Sequence, residues 1–151
     1  MGDWIDELAQ QAKITSTHSA LILEKGWGLW DKLKSQLKND SERLNAVREL
    51  KGYHCSITVD PKDGCFVLTK SNNQVKFVLR PKITEGEILL EKGLNINFAS
   101  PETGPKFQLE STEPLKIIVD SDNMLLLSWR KEPHSIAAVS KKILELLKET
   151  E

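Results

Sequence analysis

At 151 residues, with 39% hydrophobic and 28% charged side chains, the chain has the size and composition of one globular domain and is too apolar for a disordered one. Twenty-one Lys and Arg stand against 22 Asp and Glu. The signs also cancel locally, eight against eight over residues 1–52, so no cationic block exists to displace counterions from a nucleic acid. Nucleic acid is therefore excluded as an expected partner.

The chain opens Met1-Gly2-Asp3-Trp4-Ile5-Asp6, acidic where an export or transit signal is basic. Asp6 also stands where a myristoylation motif requires Ser or Thr. No apolar run exceeds four residues, against the roughly 20 that a membrane-spanning helix needs. The expectation is a soluble, cytoplasmic domain. Cys55 and Cys65 are the only cysteines, too few for a four-thiolate zinc site, and are expected as reduced, buried thiols.

The first third reads as helical over residues 3–51. Asp3 caps a short first segment, residues 3–13, with Trp4, Ile5, Leu8 and Ala12 on one side. Ser16 or Thr17 then caps a longer one. In it Leu23, Trp27, Trp30, Leu33, Leu37, Leu44 and Val47 recur at helical spacing, and Gly52 ends it. The segment reads as one helix or as two, and if it breaks, Asn39-Asp40-Ser41 is the expected place, because these side chains compete with the helical backbone. Gly26 and Gly28 flank Trp27 and lack the pattern of a phosphate loop; they read as sites where another element approaches closely.

Residues 53–130 change to two-residue alternation interrupted by turn residues, which predicts an antiparallel β-meander of seven or eight strands. A turn at Pro61-Lys62-Asp63-Gly64 pairs Val59 with Phe66 and Ile57 with Leu68. A second turn at Asn72-Asn73 pairs Leu68 with Phe77 and Phe66 with Leu79. This register gathers Ile57, Val59, Phe66, Leu68, Phe77 and Leu79 on one face. A third hairpin is expected across Glu91-Lys92-Gly93, pairing Leu90 with Leu94 and Ile88 with Ile96, with Phe98 following Ile96 inward. Ser100 to Lys106 reads as a loop. Three strands follow, 106–111 with Phe107 and Leu109 inward, 115–120, and 124–130. So many twisted strands tend to curl and could close into a barrel. A final helix over 134–149, started by Pro133 or Ser135, carries Ile136, Val139, Ile143, Leu146 and Leu147 toward the sheet. The predicted fold class is α+β, one domain: helix or helix pair, curved meander, C-terminal helix.

Chemistry is sparse. His18, His54 and His134 are isolated and lack metal-ligand spacing. Asp120-Ser121-Asp122-Asn123 lacks the glycine and glutamate of a calcium loop, since Leu125 and Lys131 stand there, and reads as a turn. No catalytic or metal-binding residues and no cofactor are expected, and the chain reads as non-enzymatic.

The leading functional expectation is a protein-interaction module, docking a partner or a second copy. An alternative is a carrier for an apolar small molecule held between sheet and helices, with Trp27, Trp30, Phe66, Phe77 and Trp129 lining its cavity. A second alternative is membrane-surface binding through residues 17–38, where Trp27, Trp30, Lys32, Lys34 and Lys38 suit a lipid interface; Glu24 and Asp31 oppose it.

Overall fold

The computed structural model describes residues 3–59, 64–70, 75–97 and 105–149, with the backbone alone described at 95–97 and 105–108. Helix α1 spans Trp4–Asn45 without a break. Asp3 caps it as expected, its Oδ1 accepting from the amides of Ile5 and Asp6 at 3.0 Å each. Thr17 is interior to the helix and donates to the Lys13 carbonyl. Of the two alternatives the continuous helix is observed: it does not break at Asn39-Asp40-Ser41, where side-chain partners hold Asp40 and Ser41 in helical form. Gln36 Nε2 donates to Asp40, and Ser41 Oγ donates to the Lys38 carbonyl. The helix ends at Asn45, earlier than Gly52, and a 3₁₀ turn at Arg48–Tyr53 leads into the sheet.

Among the described residues seven antiparallel strands follow in strict sequence order: β1 (Cys55–Val59), β2 (Phe66–Lys70), β3 (Val75–Lys82), β4 (Glu87–Asn97), β5 (Pro105–Val119), β6 (Leu125–Trp129) and β7 (Glu132–His134). β1 and β7 remain the two edges, so the sheet is not closed into a barrel. Both expected registers of the first three strands are present, Val59 with Phe66, Ile57 with Leu68, Leu68 with Phe77 and Phe66 with Leu79. The turn residues 60–63 and 71–74 lie outside the described residues. Phe66, Leu68, Phe77 and Leu79 are buried, Ile57 is half-buried, and Val59 is 54% exposed at the sheet edge.

The third hairpin is corrected. β4 runs straight through Glu91-Lys92-Gly93, so Leu90 does not meet Leu94 and Ile88 does not meet Ile96. The reversal comes earlier, through a 3₁₀ turn at Ile83–Glu85 followed by Gly86 at φ 72°. Gly93 marks instead a shift in register. Lys92 pairs with Ser111 and Gly93 with Leu109, leaving Glu110 as an extra residue bulged from β5. The bulge inverts the alternation beyond it, which is why Leu109, expected inward, is exposed. Segments 106–111 and 115–120 are one strand, and Phe98 lies outside the described residues.

Helix α2 spans Ile136–Glu149. Ser135 caps it, its Oγ accepting from the Ala138 amide, while Pro133 belongs to β7. The two helices pack on each other and on one face of the sheet. Leu29, Trp30, Leu33 and Leu37 of α1 and Val139, Ile143, Leu144 and Leu147 of α2 close over the inward residues of the strands as one core. The core face of α1 is thus Ile22, Gly26, Leu29, Trp30, Leu33 and Leu37, rotated from the expected stripe: Leu23, Trp27 and Val47 are exposed. Gly26 explains the rotation. A Cβ there would lie 2.6 Å from Ile83 Cγ2, so the helix packs closely on the β3–β4 turn at a position without a side chain.

Candidate interaction surface

Among the described residues the five residues expected to line a ligand cavity are not gathered around a common one. Trp30, Phe66, Phe77 and Trp129 are buried members of the core, and Trp27 is 52% exposed on the outer side of α1. Phe77 borders a small recess of about 160 Å³ shared with Lys92, Glu113 and Arg130. Of the larger grooves open to solvent, two have several apolar residues in their walls. One, about 490 Å³, lies between the end of α1, the 3₁₀ turn and α2, with Leu44, Val47, Tyr53 and Leu144 among its walls. The other, about 690 Å³, lies between α1, the β5–β6 turn and the start of α2, with Leu29, Met124, Leu126 and Ile136.

Several polar side chains hold local structure. Asp120 folds the β5–β6 turn, its Oδ1 accepting from the amides of Asp122 and Met124, with Asn123 at φ 59°. His54 contacts the Val47 carbonyl at 3.0 Å. His134 lies in β7 rather than at a helix start, 3.4 Å from Lys142 Nζ. At the β6–β7 turn Arg130 and Lys131 both take positive φ, 53° and 68°. Arg130 is held there by two hydrogen bonds to Glu113, at 2.8 and 3.2 Å, and by the Trp129 ring. The Arg130 guanidinium keeps the Glu113 carboxyl below the ordinary carboxylate range. Burial pushes the Cys55 thiol up to about 11 against an opposing hydrogen bond with Ser41, which makes it a poor nucleophile. Among the described residues no group of His, Cys, Asp or Glu is assembled to hold a metal. No helix there is long and apolar enough to cross a membrane.

Among the described residues two surfaces remain without a partner. The first is the start of α1. A 42-residue helix is about 63 Å long. Its contact with the core begins only near Ile22, and every residue from Asp3 to Thr17 is exposed. Trp4, Ile5 and Leu8 are 69%, 56% and 58% exposed. They are not scattered. Leu8 precedes Ile22 by fourteen residues, and Ile22 precedes Leu33 by eleven, close to four and three whole turns. The apolar stripe that α1 buries against the sheet therefore continues along an arm with no described strand beneath it. The sequence carried this signal in Ile5, Leu8, Ala12, Ile22, Gly26, Leu29 and Leu33, spaced three and four apart except across Thr15 and Ser19. Those two polar positions make the helix read as two.

The second is the β1 edge. Here Asn45, the last residue of α1, places its side-chain amide against Cys55. Nδ2 donates to the Cys55 carbonyl at 2.7 Å, and the Cys55 amide donates to Oδ1 at 3.1 Å. That is the pair of bonds a neighbouring strand would make. Neither Asn45 nor β1 stands out in the sequence, since a five-residue strand can be central or peripheral.

Comparison with known protein families, with characterised proteins and with solved structures finds no match.

Proposed function

We propose that this chain is a protein-interaction module that docks a different protein through the exposed arm of α1. The observation carrying this reading is the continuation of the core stripe through Leu8, Ile5 and Trp4 beyond the last contact with the sheet. Three large apolar side chains on one side of an unsupported helix are the anchors of helix-in-groove recognition. Charge selects among occupants. Around the stripe stand Asp3, Asp6 and Glu7 against Lys13 alone, so the arm is acidic at its tip. An anionic lipid surface would repel that tip. Parallel pairing with a second arm would set the three acids side by side. The fitting partner is a protein with an apolar groove and a basic rim. Reduced thiols at Cys55 and Cys65 agree with a cytoplasmic setting, which we take as part of the reading.

The test is site-specific photo-crosslinking from the arm of the full-length protein inside cells. A photoreactive residue at Ile5 or Leu8 should give one predominant protein adduct, and one at Gln10 or Thr17, on the opposite side of the helix, should not. The adduct at Ile5 should disappear when Leu8→Ser is added. Adducts of equal yield from all four positions, or none, overturn the reading. So does flotation of the purified protein with anionic vesicles at low salt, which would move the arm to the lipid surface.

A further inference from the structure

We propose that the β1 edge is a self-association site, at which the β1 strands of two copies pair antiparallel about Thr58 and join two seven-stranded sheets into one. The argument is independent of the helix arm and begins with the backbone. The Cys55 amide and carbonyl are both bonded to Asn45, so both point away from β2. In an antiparallel strand alternate residues point their backbone groups the same way. Ile57 and Val59 therefore present an amide and a carbonyl each at the open side of β1. Among the described residues nothing bonds them there, because β1 is an edge of the sheet.

Open edges are ordinarily guarded by charge, proline or brevity. The other edge, β7, uses all three: it is three residues long and carries Glu132 and Pro133. β1 uses none. Its sequence, Cys-Ser-Ile-Thr-Val, is uncharged and largely β-branched, which favours strand pairing. An unguarded strand next to a guarded one at the far side of the same sheet is the pattern of a pairing edge.

A second copy fits this edge in one register. Pairing about Thr58 sets Ile57 opposite the partner's Val59 and Val59 opposite the partner's Ile57. Each of these two pairs exchanges two backbone hydrogen bonds. Ile57 and Val59 lie on the helix-bearing side, as their pairing with Leu68 and Phe66 requires. Val59, 54% exposed in the single copy, is then covered by an apolar neighbour. On the other side Thr58 meets the partner's Thr58, a favourable cross-strand pair. No charge is opposed to a like charge, because the strand has none. A slip to pairing about Ile57 would bring Val59 against Cys55, whose backbone groups Asn45 already holds. Asn45 thus acts as the stop that fixes the register. The strand spans only about 17 Å. The contact is therefore small, and its dissociation constant should fall on the order of 10–500 µM.

Sedimentation of the intact protein over that concentration range tests this. A monomer–dimer equilibrium is expected, lost in Thr58→Lys, which sets two like charges opposite each other at a position exposed in the single copy. The far-ultraviolet spectrum and unfolding midpoint of Thr58→Lys should match the parent, showing that association alone has changed. Thr58→Cys should form an intermolecular disulfide under mild oxidant at least tenfold faster than Ser56→Cys, since only position 58 meets itself. Leu8→Ser should leave the dimer intact. A monomer throughout, a dimer that survives Thr58→Lys, equal crosslinking at positions 56 and 58, or dissociation by Leu8→Ser would each overturn the proposal. So would protection of the Ile57 and Val59 amides by an unrelated extended peptide but not by raising the protein's own concentration.

Discussion

Asp40 of α1 accepts a hydrogen bond from the hydroxyl of Ser140 in α2 at 2.7 Å, 100 residues later in the chain. Ser140 is fully buried, and Gln36 Nε2 donates to the same carboxylate at 3.0 Å and 3.1 Å. The carboxylate thus sits between the helices with donors from both. Replacing Ser140 by alanine removes one donor and leaves Asp40 partly desolvated. The expected loss is about 1–2 kcal/mol, read as a lower urea midpoint at unchanged slope. With Asp40→Ala added, the combined loss should be clearly smaller than the sum of the two single losses, because both report the same contact. Additive losses would show the bond to be energetically idle.

Gly26 and Gly28 are two residues apart in one helix, yet alanine should act oppositely at them. At Gly28 a Cβ meets nothing within 4 Å, so Gly28→Ala gains helix propensity and should stabilise by about 0.5–1 kcal/mol. At Gly26 the added methyl would fall 2.6 Å from Ile83 Cγ2, a short branch of a side chain that is itself buried. Overpacking of this kind costs about 1–3 kcal/mol, which outweighs the propensity gain. Thermal unfolding of the two variants should therefore bracket the parent. Adding Ile83→Val would not relieve Gly26→Ala, since valine keeps a Cγ2 methyl, whereas Ile83→Ala should recover part of the loss contributed by the clash.

Much of the fold was legible because short-range alternation is a local signal. The registers of β1, β2 and β3 follow from matching Ile57, Phe66, Leu68, Phe77 and Leu79 on one face, and a slip would have turned them all outward. The same logic failed at Lys92-Gly93. A glycine after two polar residues has turn chemistry, but here β3 and β5 flank β4 along its length and keep it extended, and the glycine serves a bulge. Asp40 and Ser41 misled in the same way. Their propensity favours a helix end, and their partners, Gln36, Lys38 and Ser140, keep them helical. The candidate surfaces were less legible than the fold. Trp4, Ile5 and Leu8 are visible as a helical stripe, but only the position of the sheet shows them to be exposed.

The arm and the docked half of α1 should differ in local stability although they form one helix. Residues 14–19, Ile-Thr-Ser-Thr-His-Ser, contain no strong helix former, and Thr17 bonds back to the Lys13 carbonyl. Apolar packing begins only past them. Amide hydrogen exchange of the isolated protein should therefore be fast from Ile5 to Ser19. From Leu29 to Leu37, where the helix is buried, it should approach the rate of global unfolding. Replacing Thr15, Ser16 and Ser19 together by alanine should slow exchange in the arm severalfold and leave the docked half unchanged. Equal protection along all of α1 would show that something within the chain supports the arm.

Cys55 makes a prediction at alkaline pH whose sign follows from linkage. Its thiol is raised from an ordinary value of 9.0 to about 11, chiefly because burial penalises the thiolate. The unfolded chain therefore releases this proton before the folded one does. Stability attributable to the neutral thiol is fully present below pH 9 and is lost as pH rises toward 11. Over that window the unfolding free energy should fall with a slope approaching about 1.4 kcal/mol per pH unit from this group. Denaturant titrations at fixed ionic strength would measure it. Cys55→Ala loses some packing but carries no titrating thiol, so its stability should decline less steeply between pH 9 and 11 than the parent's. At pH 8 the folded parent should also react with a thiol reagent at Cys55 far more slowly than the same chain in urea. A parent and a Cys55→Ala variant with parallel pH profiles, or a Cys55 as reactive folded as unfolded, would mean that the thiol is not desolvated where Asn45 and Ser41 close over the first residue of β1.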